Sequence, residues 1–175
     1  MSVQKKSLPS GGIATTRPAA ATALLRTGHN CWRIEHAHRL RFLVDGAAYF
    51  PAFREAVKQA RRSVLIIGWD FDTRFQLVRP DPQDGYPTAF GEFLTAIVRA
   101  RKGLQIHILD WDYSMVYAPD REWLPTYKFS FSGHRRLHFR MDSQHPVASS
   151  HHQKIVVIDD RLAFLGGLDF ALGRW

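Results

Sequence analysis

Near the end of the chain, five residues whose side chains or backbone suit phosphorus chemistry stand at fixed spacing: His152, Lys154, Asp159 and the adjacent Gly166 and Gly167. An imidazole with an ordinary pKa of about 6.5 is largely neutral at neutral pH, so its nitrogen can attack phosphorus directly. A lysine ammonium can hold charge on non-bridging phosphate oxygens, where a phosphoryl-transfer transition state carries it. Glycines let the backbone turn sharply or approach a phosphate closely. His152 and Lys154 are two apart in a stretch that reads as strand, so a period of two points both side chains to one face. Asp159 sits at an expected turn and falls off that face, which favours a structural job. Asp169, just past the glycines, can orient an imidazole or bind a substrate hydroxyl; a helix cap or a surface carboxylate is the plain alternative. Five identities at set spacings arise by chance in roughly one in ten thousand chains of this length, so the pattern as a whole carries weight that a bare Gly-Gly does not.

Positioning these residues requires a framework, and the pattern of apolar residues supplies one. Cys31–Glu35 and Leu40–Val44 read as two short strands about a His36-Ala37-His38 turn. Apolar residues at helical spacing between Ala47 and Arg62 predict an amphipathic helix. Val64–Gly68 is a continuous branched apolar run, as in a central strand covered on both faces. A loop with Pro80, Pro82, Gly85 and Pro87 leads to a second helix over Ala89–Arg101, closed by Gly103. Leu104–Leu109 is a second buried strand, and the order strand, helix, strand argues for a parallel crossover. Residues 113 to 134 are aromatic and irregular, with some helix expected. Leu137–Arg140 reads as a third strand, 144 to 150 as polar loop, and Gln153–Ile158 with Leu162–Leu165 as two strands around an acidic turn.

Composition bounds the rest. At 175 residues and 45% hydrophobic content the chain suits one α/β domain. Its single cysteine, Cys31, forms no intrachain disulfide, so a reducing compartment suffices. The net charge of +8 divides into +4 on residues 1–30, which hold no acid, and +4 on the remainder, so the folded part is only mildly basic. Arginine outnumbers lysine 18 to 6, which suits phosphate binding by a planar fork as well as a plain genome bias. Residues 1–30 read as a disordered lead and 31–175 as the domain. No apolar run is long enough to cross a bilayer and no clear signal peptide stands at the start, which points to a cytoplasmic or peripheral-membrane protein. His36 and His38 read as solvated, no Cys/His cluster has zinc spacing, and no cofactor fingerprint occurs. Trp69, Trp111 and Trp123 read as core or interface residues. The end at Gly173-Arg174-Trp175, without a cap or polar tail, looks like a cut.

His152-Gln153-Lys154, Asp159, Gly166-Gly167 and Asp169 together resemble the HKD motif of the phospholipase D superfamily. The run from His151 to Asp159, Ala163–Asp169 and the closing Gly173-Arg174-Trp175 are similar to phospholipases D acting on phosphatidylcholine-type lipids, and Cys31-Trp32-Arg33, Gly68-Trp69-Asp70 and Asp110-Trp111-Asp112 extend the likeness over residues 31 to 175. The resemblance implies a mixed, largely parallel α/β sheet flanked by helices, one lobe of two. It implies metal- and cofactor-free catalysis through a phosphohistidine, with His152 as nucleophile or acid/base partner, Lys154 on the phosphate, Asp159 as a motif member, and Gly166, Gly167 and Asp169 near substrate. Water would yield phosphatidic acid, and an alcohol a transphosphatidylated lipid. One departure matters: the family's site combines two motifs, and here there is one, so the chain resembles an N-terminal half and needs a second lobe from the same natural chain or a homodimer partner. The expected partner is a phospholipid at a membrane surface. A superfamily nuclease working as a homodimer is the enzymatic alternative, against which the mild charge of the folded part argues. An inactive fragment that binds phosphate or acidic lipid is the non-enzymatic one.

Overall fold

Branched apolar residues in alternation build the centre of the molecule, a five-stranded mixed sheet in a computed structural model that describes residues 24–111, 133–146 and 149–173. The strands are β1 (Ser63–Gly68), β2 (Gln105–Trp111), β3 (Leu137–Asp142), β4 (Ile155–Ile158) and β5 (Leu162–Leu165), and the helices are α1 (Asp45–Gln59) and α2 (Phe90–Ala100). The sheet order is β3-β2-β1-β4-β5. β1 pairs in parallel with β2, and β2 with β3, whereas β4 runs antiparallel to both β1 and β5. The crossover through α2 is long enough for the first parallel pairing, and the tight Asp159–Arg161 turn dictates the last antiparallel one.

Period-two alternation sends Val64, Ile66, Ile106, Ile108, Val156, Ile158 and Phe164 to one face, where they join Phe50, Phe53 and Val57 of α1 and Phe93, Leu94 and Ile97 of α2 in a single core. The helices thus cover one side of the sheet. On the other side Leu65 and Leu165 are exposed and Ile67, Leu109, Ile155 and Val157 half-buried. β1 was expected to be covered on both faces; among the described residues only one face is.

The helix borders follow local chemistry. Asp45 opens α1 in the left-handed region, φ 61°, and its Oδ1 accepts the Ala47 N–H at 2.9 Å, the turn that an aspartate side chain makes readily. The helix stops at Gln59, earlier than its apolar spacing suggests, because Asp159 takes the N–H groups of Arg61, Arg62 and Ser63 at 2.9, 2.7 and 2.9 Å and draws that stretch out of helical geometry. Arg54 of α1, 1% exposed, donates to the carbonyls of Pro87 and Tyr86 and to Asp84, which pins the proline-rich loop onto the helix.

Among the described residues, those up to Arg41 and those from Phe42 onward form two compact units. In the first unit, Asn30 closes a turn by accepting the Arg26 N–H and donating to Leu24 O, each at 2.7 Å. The expected hairpin over Cys31–Val44 does not form: residues 32–44 hold no strand. His36-Ala37-His38 offers none of the Gly, Asn or Asp residues that tight hairpin turns favour. The irregular stretch 113–132, with Trp123, and most of the expected lead lie outside the described residues.

Candidate active site

Parallel strands deliver side chains at their carboxyl ends, and in this sheet those ends carry Gly68 closing β1 with Trp69 after it and Asp110-Trp111 closing β2. β4 runs the other way, so its beginning lies beside the end of β1, with Ile67 opposite Ile155. His152 and Lys154 immediately precede Ile155, which brings them to Trp69. The imidazole of His152 meets the Trp69 indole edge-to-face at 5.7 Å between centroids, and Lys154 Nζ lies 5.8 Å from the centre of the same ring. Trp69 stacks in turn on Trp111 at 5.5 Å and 17°.

Lys154 and Asp169 form a buried ion pair, Nζ to Oδ2 at 3.1 Å, with side chains 5% and 1% exposed. Removing two charges from water is costly, and the pair is tolerable because further hydrogen bonds satisfy it. Asp169 Oδ1 accepts the Trp69 N–H at 2.9 Å, and Lys154 Nζ donates to His152 O at 3.4 Å. The backbone explains how Asp169 arrives there: Phe71 bridges Phe170, and the Asp72 N–H donates to Phe170 O at 2.8 Å, lacing the loop after β1 to the segment after the glycines. Gly68 makes this path possible, since a Cβ there would stand 2.6 Å from the Phe71 ring. Burial first, and then the charge of Asp169, push the nearby Tyr49 phenol above its usual range.

The sequence-derived candidates therefore separate into two groups. His152, Lys154 and Asp169 converge on Trp69. His152 is exposed while Lys154 is buried, and β4 begins only at Ile155, so the two do not share a strand face as their spacing suggests; they meet through the indole instead. Asp169 is 2% exposed and occupied by Lys154 and Trp69, which is neither a surface carboxylate nor a group open to substrate. Gly166 and Gly167 are exposed, neither has positive φ, and a Cβ on either would meet nothing within 4 Å; the space beside them is open. Asp159 lies at the far end of β4, holding three backbone N–H groups. Burial pushes its carboxyl up, but the N–H bonds from Ser63, Arg62 and Arg61, with the charge of Arg62, outweigh burial and hold it below its ordinary value.

Spacing within the motif could not find Trp69, and the signal for it was tertiary: an aromatic directly after a central parallel strand. His151, in the segment before β4, also lies nearby, with Nδ1 3.2 Å from Asp142 Oδ2 at the end of β3 and its ring 5.9 Å from His145, which in turn lies 5.8 Å from Trp111. Among the described residues no group of three or more His, Cys, Asp or Glu side chains could hold a metal, and no helix is long and apolar enough to cross a membrane.

No family model matches the chain. It is 34% identical over 134 residues to Phospholipase D C of Dictyostelium discoideum, a match that covers 75% of this chain and 8% of that protein. It is 28% identical over 149 residues to Phospholipase D A of the same organism, covering 78% and 10%. The chain thus spans about a tenth of the length of these relatives. Its fold is similar to the crystal structure of a phospholipase D family member, Nuc, from Salmonella typhimurium, with TM-score 0.50 and 15% identity over 73% of this chain and 68% of that one. The fold and the relatives define an α/β protein of the phospholipase D type. The chain belongs to the phospholipase D superfamily.

Proposed function

We propose that the chain is one lobe of a phospholipase D-type phosphodiesterase, and that it hydrolyses or transphosphatidylates phospholipids at a membrane surface when a second His-x-Lys lobe completes the site. The observation that carries this reading is an exposed imidazole, His152, set against a rigid indole directly above a buried Lys154–Asp169 pair. In the proposed chemistry a ring nitrogen of His152 bonds to phosphorus while the bond from phosphorus to the leaving alcohol oxygen breaks. That oxygen takes a proton from a second imidazole, which the other lobe supplies. Water or an alcohol then loses a proton to the same imidazole and displaces His152 from phosphorus. Lys154, already oriented by Asp169, offers positive charge to the non-bridging oxygens without further ordering. Gly166 and Gly167 leave room beside the site, no cofactor takes part, and Asp159 supports the motif by tying the far end of β4 to α1.

The test is head-group release from phosphatidylcholine vesicles by this chain with a second lobe supplied, against the same chain alone, with oligomeric state followed by light scattering. Turnover is expected only in the completed form. A monomer that releases head groups would overturn the shared site, and cleavage of duplex DNA by a dimer of this chain, without lipid turnover, would replace the lipid substrate with nucleic acid.

A further inference from the structure

A second concentration of charge runs from the residues before β3 along that strand to Arg140, which lies opposite Leu109 of β2. Between His134 and Arg140 five of seven residues are basic, in the order His-Arg-Arg-Leu-His-Phe-Arg, and none is acidic. They lead into and form β3, an edge strand of the sheet. Arg136 has a structural job, donating to Val98 O at 2.5 Å and to Lys102 O, so that it ties the start of β3 to the end of α2. Arg135 and Arg140 are exposed, and among the described residues neither pairs with a carboxylate. His138 stacks on His107 at 4.5 Å and 14° and meets Gln105 Oε1 at 3.1 Å, which fixes its ring beside Arg140. A cavity of about 360 Å3 opens here, lined by His134, Arg135, His138 and Arg140 with the β3 backbone between them.

Two imidazoles report the local potential. Burial, then the charges of Arg136, Arg135 and Arg99, hold His134 below its ordinary value; burial, then His138 and Arg140, do the same for His107. Cationic side chains held together without acidic partners repel one another, and a bound anion relieves that repulsion through charge-assisted hydrogen bonds. The concavity selects the kind of anion, because a cavity of this size fits a single small ligand, whereas a nucleic-acid backbone is met by a longer basic surface.

We propose that the cavity at the β3 edge, lined by His134, Arg135, His138 and Arg140, is a binding site for a compact, multiply charged phosphate-type anion. The site does not depend on how His152 works, since none of its lining residues belongs to the His152, Lys154 and Asp169 cluster.

Isothermal titration of the 175-residue chain with inorganic tripolyphosphate at low salt tests it. We expect a site that either Arg135→Gln or Arg140→Gln weakens about tenfold, the loss of one charge-assisted contact. The two variants, at exposed positions, should keep the wild-type circular dichroism. As a second measurement, the ring-proton resonances of His134 and His138 should move on adding tripolyphosphate to the wild type. His152→Ala should bind it as the wild type does. Vesicles of phosphatidylcholine with phosphatidic acid separate the sources: capture that tripolyphosphate competes away assigns a lipid phosphomonoester, and binding of the soluble anion alone assigns a free one. Unchanged affinity in both Arg135→Gln and Arg140→Gln, loss of binding in His152→Ala, or stationary histidine resonances would each overturn the proposal. So would duplex DNA that binds more tightly than tripolyphosphate through the same arginines.

Discussion

The two ends of β4 carry residues of one sequence motif and use them in opposite ways. At its start His152 is open to solvent, and Lys154 and Asp169 hold a buried charge pair beneath it. At its end Asp159 spends its carboxylate on three backbone N–H groups and stitches β4 to the α1–β1 connection. One end keeps a reactive group free; the other uses a charged group to terminate a helix. Four residues of strand separate them, so a short rigid element lets a single motif serve both chemistry and architecture.

The contrast breaks most sharply at His152. With the second lobe supplied, His152→Ala is expected to lower phosphodiesterase turnover by about 10³-fold or more, because a covalent role is lost. Its denaturation midpoint should stay near that of the wild type, the ring being exposed. Near-normal turnover would refute the proposed nucleophile.

Asp169→Ala should come next in size, since it strands the Lys154 ammonium in the interior, a change that typically costs about 3–5 kcal/mol. Urea unfolding would show this, and the double variant Asp169→Leu with Lys154→Met should recover most of the loss while remaining inactive. If single and double variants lose the same stability, the pair is not coupled as the 3.1 Å contact implies.

At the opposite end, Asp159→Ala should cost about 1–3 kcal/mol through lost charge-assisted hydrogen bonds, with turnover per folded molecule preserved. A selective loss of turnover at full stability would reverse the division of labour. Because the folded carboxyl titrates below its unfolded value, its contribution is present above the ordinary carboxylate range and fades as pH falls through the folded pKa.

The smallest effect belongs to Asp84. Burial raises its pKa, but Lys58, the Tyr86 N–H and Arg54 together pull it down to about 2 from 3.8. Stability that depends on it should therefore disappear between about pH 4 and pH 2, and acid titration of Asp84→Asn should lack that component. An unchanged acid profile would mean that the loop is held by Arg54 and the Pro87 and Tyr86 carbonyls alone.

Local patterning made much of this legible. Branched apolar runs marked β1 and β2, although among the described residues only one face of β1 is covered. Helical spacing marked α1 and α2, and the spacing of His152, Lys154, Asp159 and Gly166-Gly167 marked the chemistry. Patterning failed where the decision lay elsewhere in the chain. Cys31–Val44 reads as strands, but a strand needs a pairing partner, which is not local information, and the His36-Ala37-His38 turn lacks the residues that tight hairpins favour. The helical spacing of α1 ran on to Arg62, and a carboxylate 97 residues later ended it at Gln59. Asp169 read as a group to orient an imidazole or bind a substrate hydroxyl, with a cap or surface carboxylate as the alternative, and the Phe71–Phe170 bridge instead carries it to the Trp69 N–H and Lys154. Residue type and near-neighbour spacing suffice to say which groups can do chemistry, since those are properties of the side chain and its own backbone. Which of them is buried, paired or left open depends on desolvation by segments distant in the chain, and only folding brings those segments together.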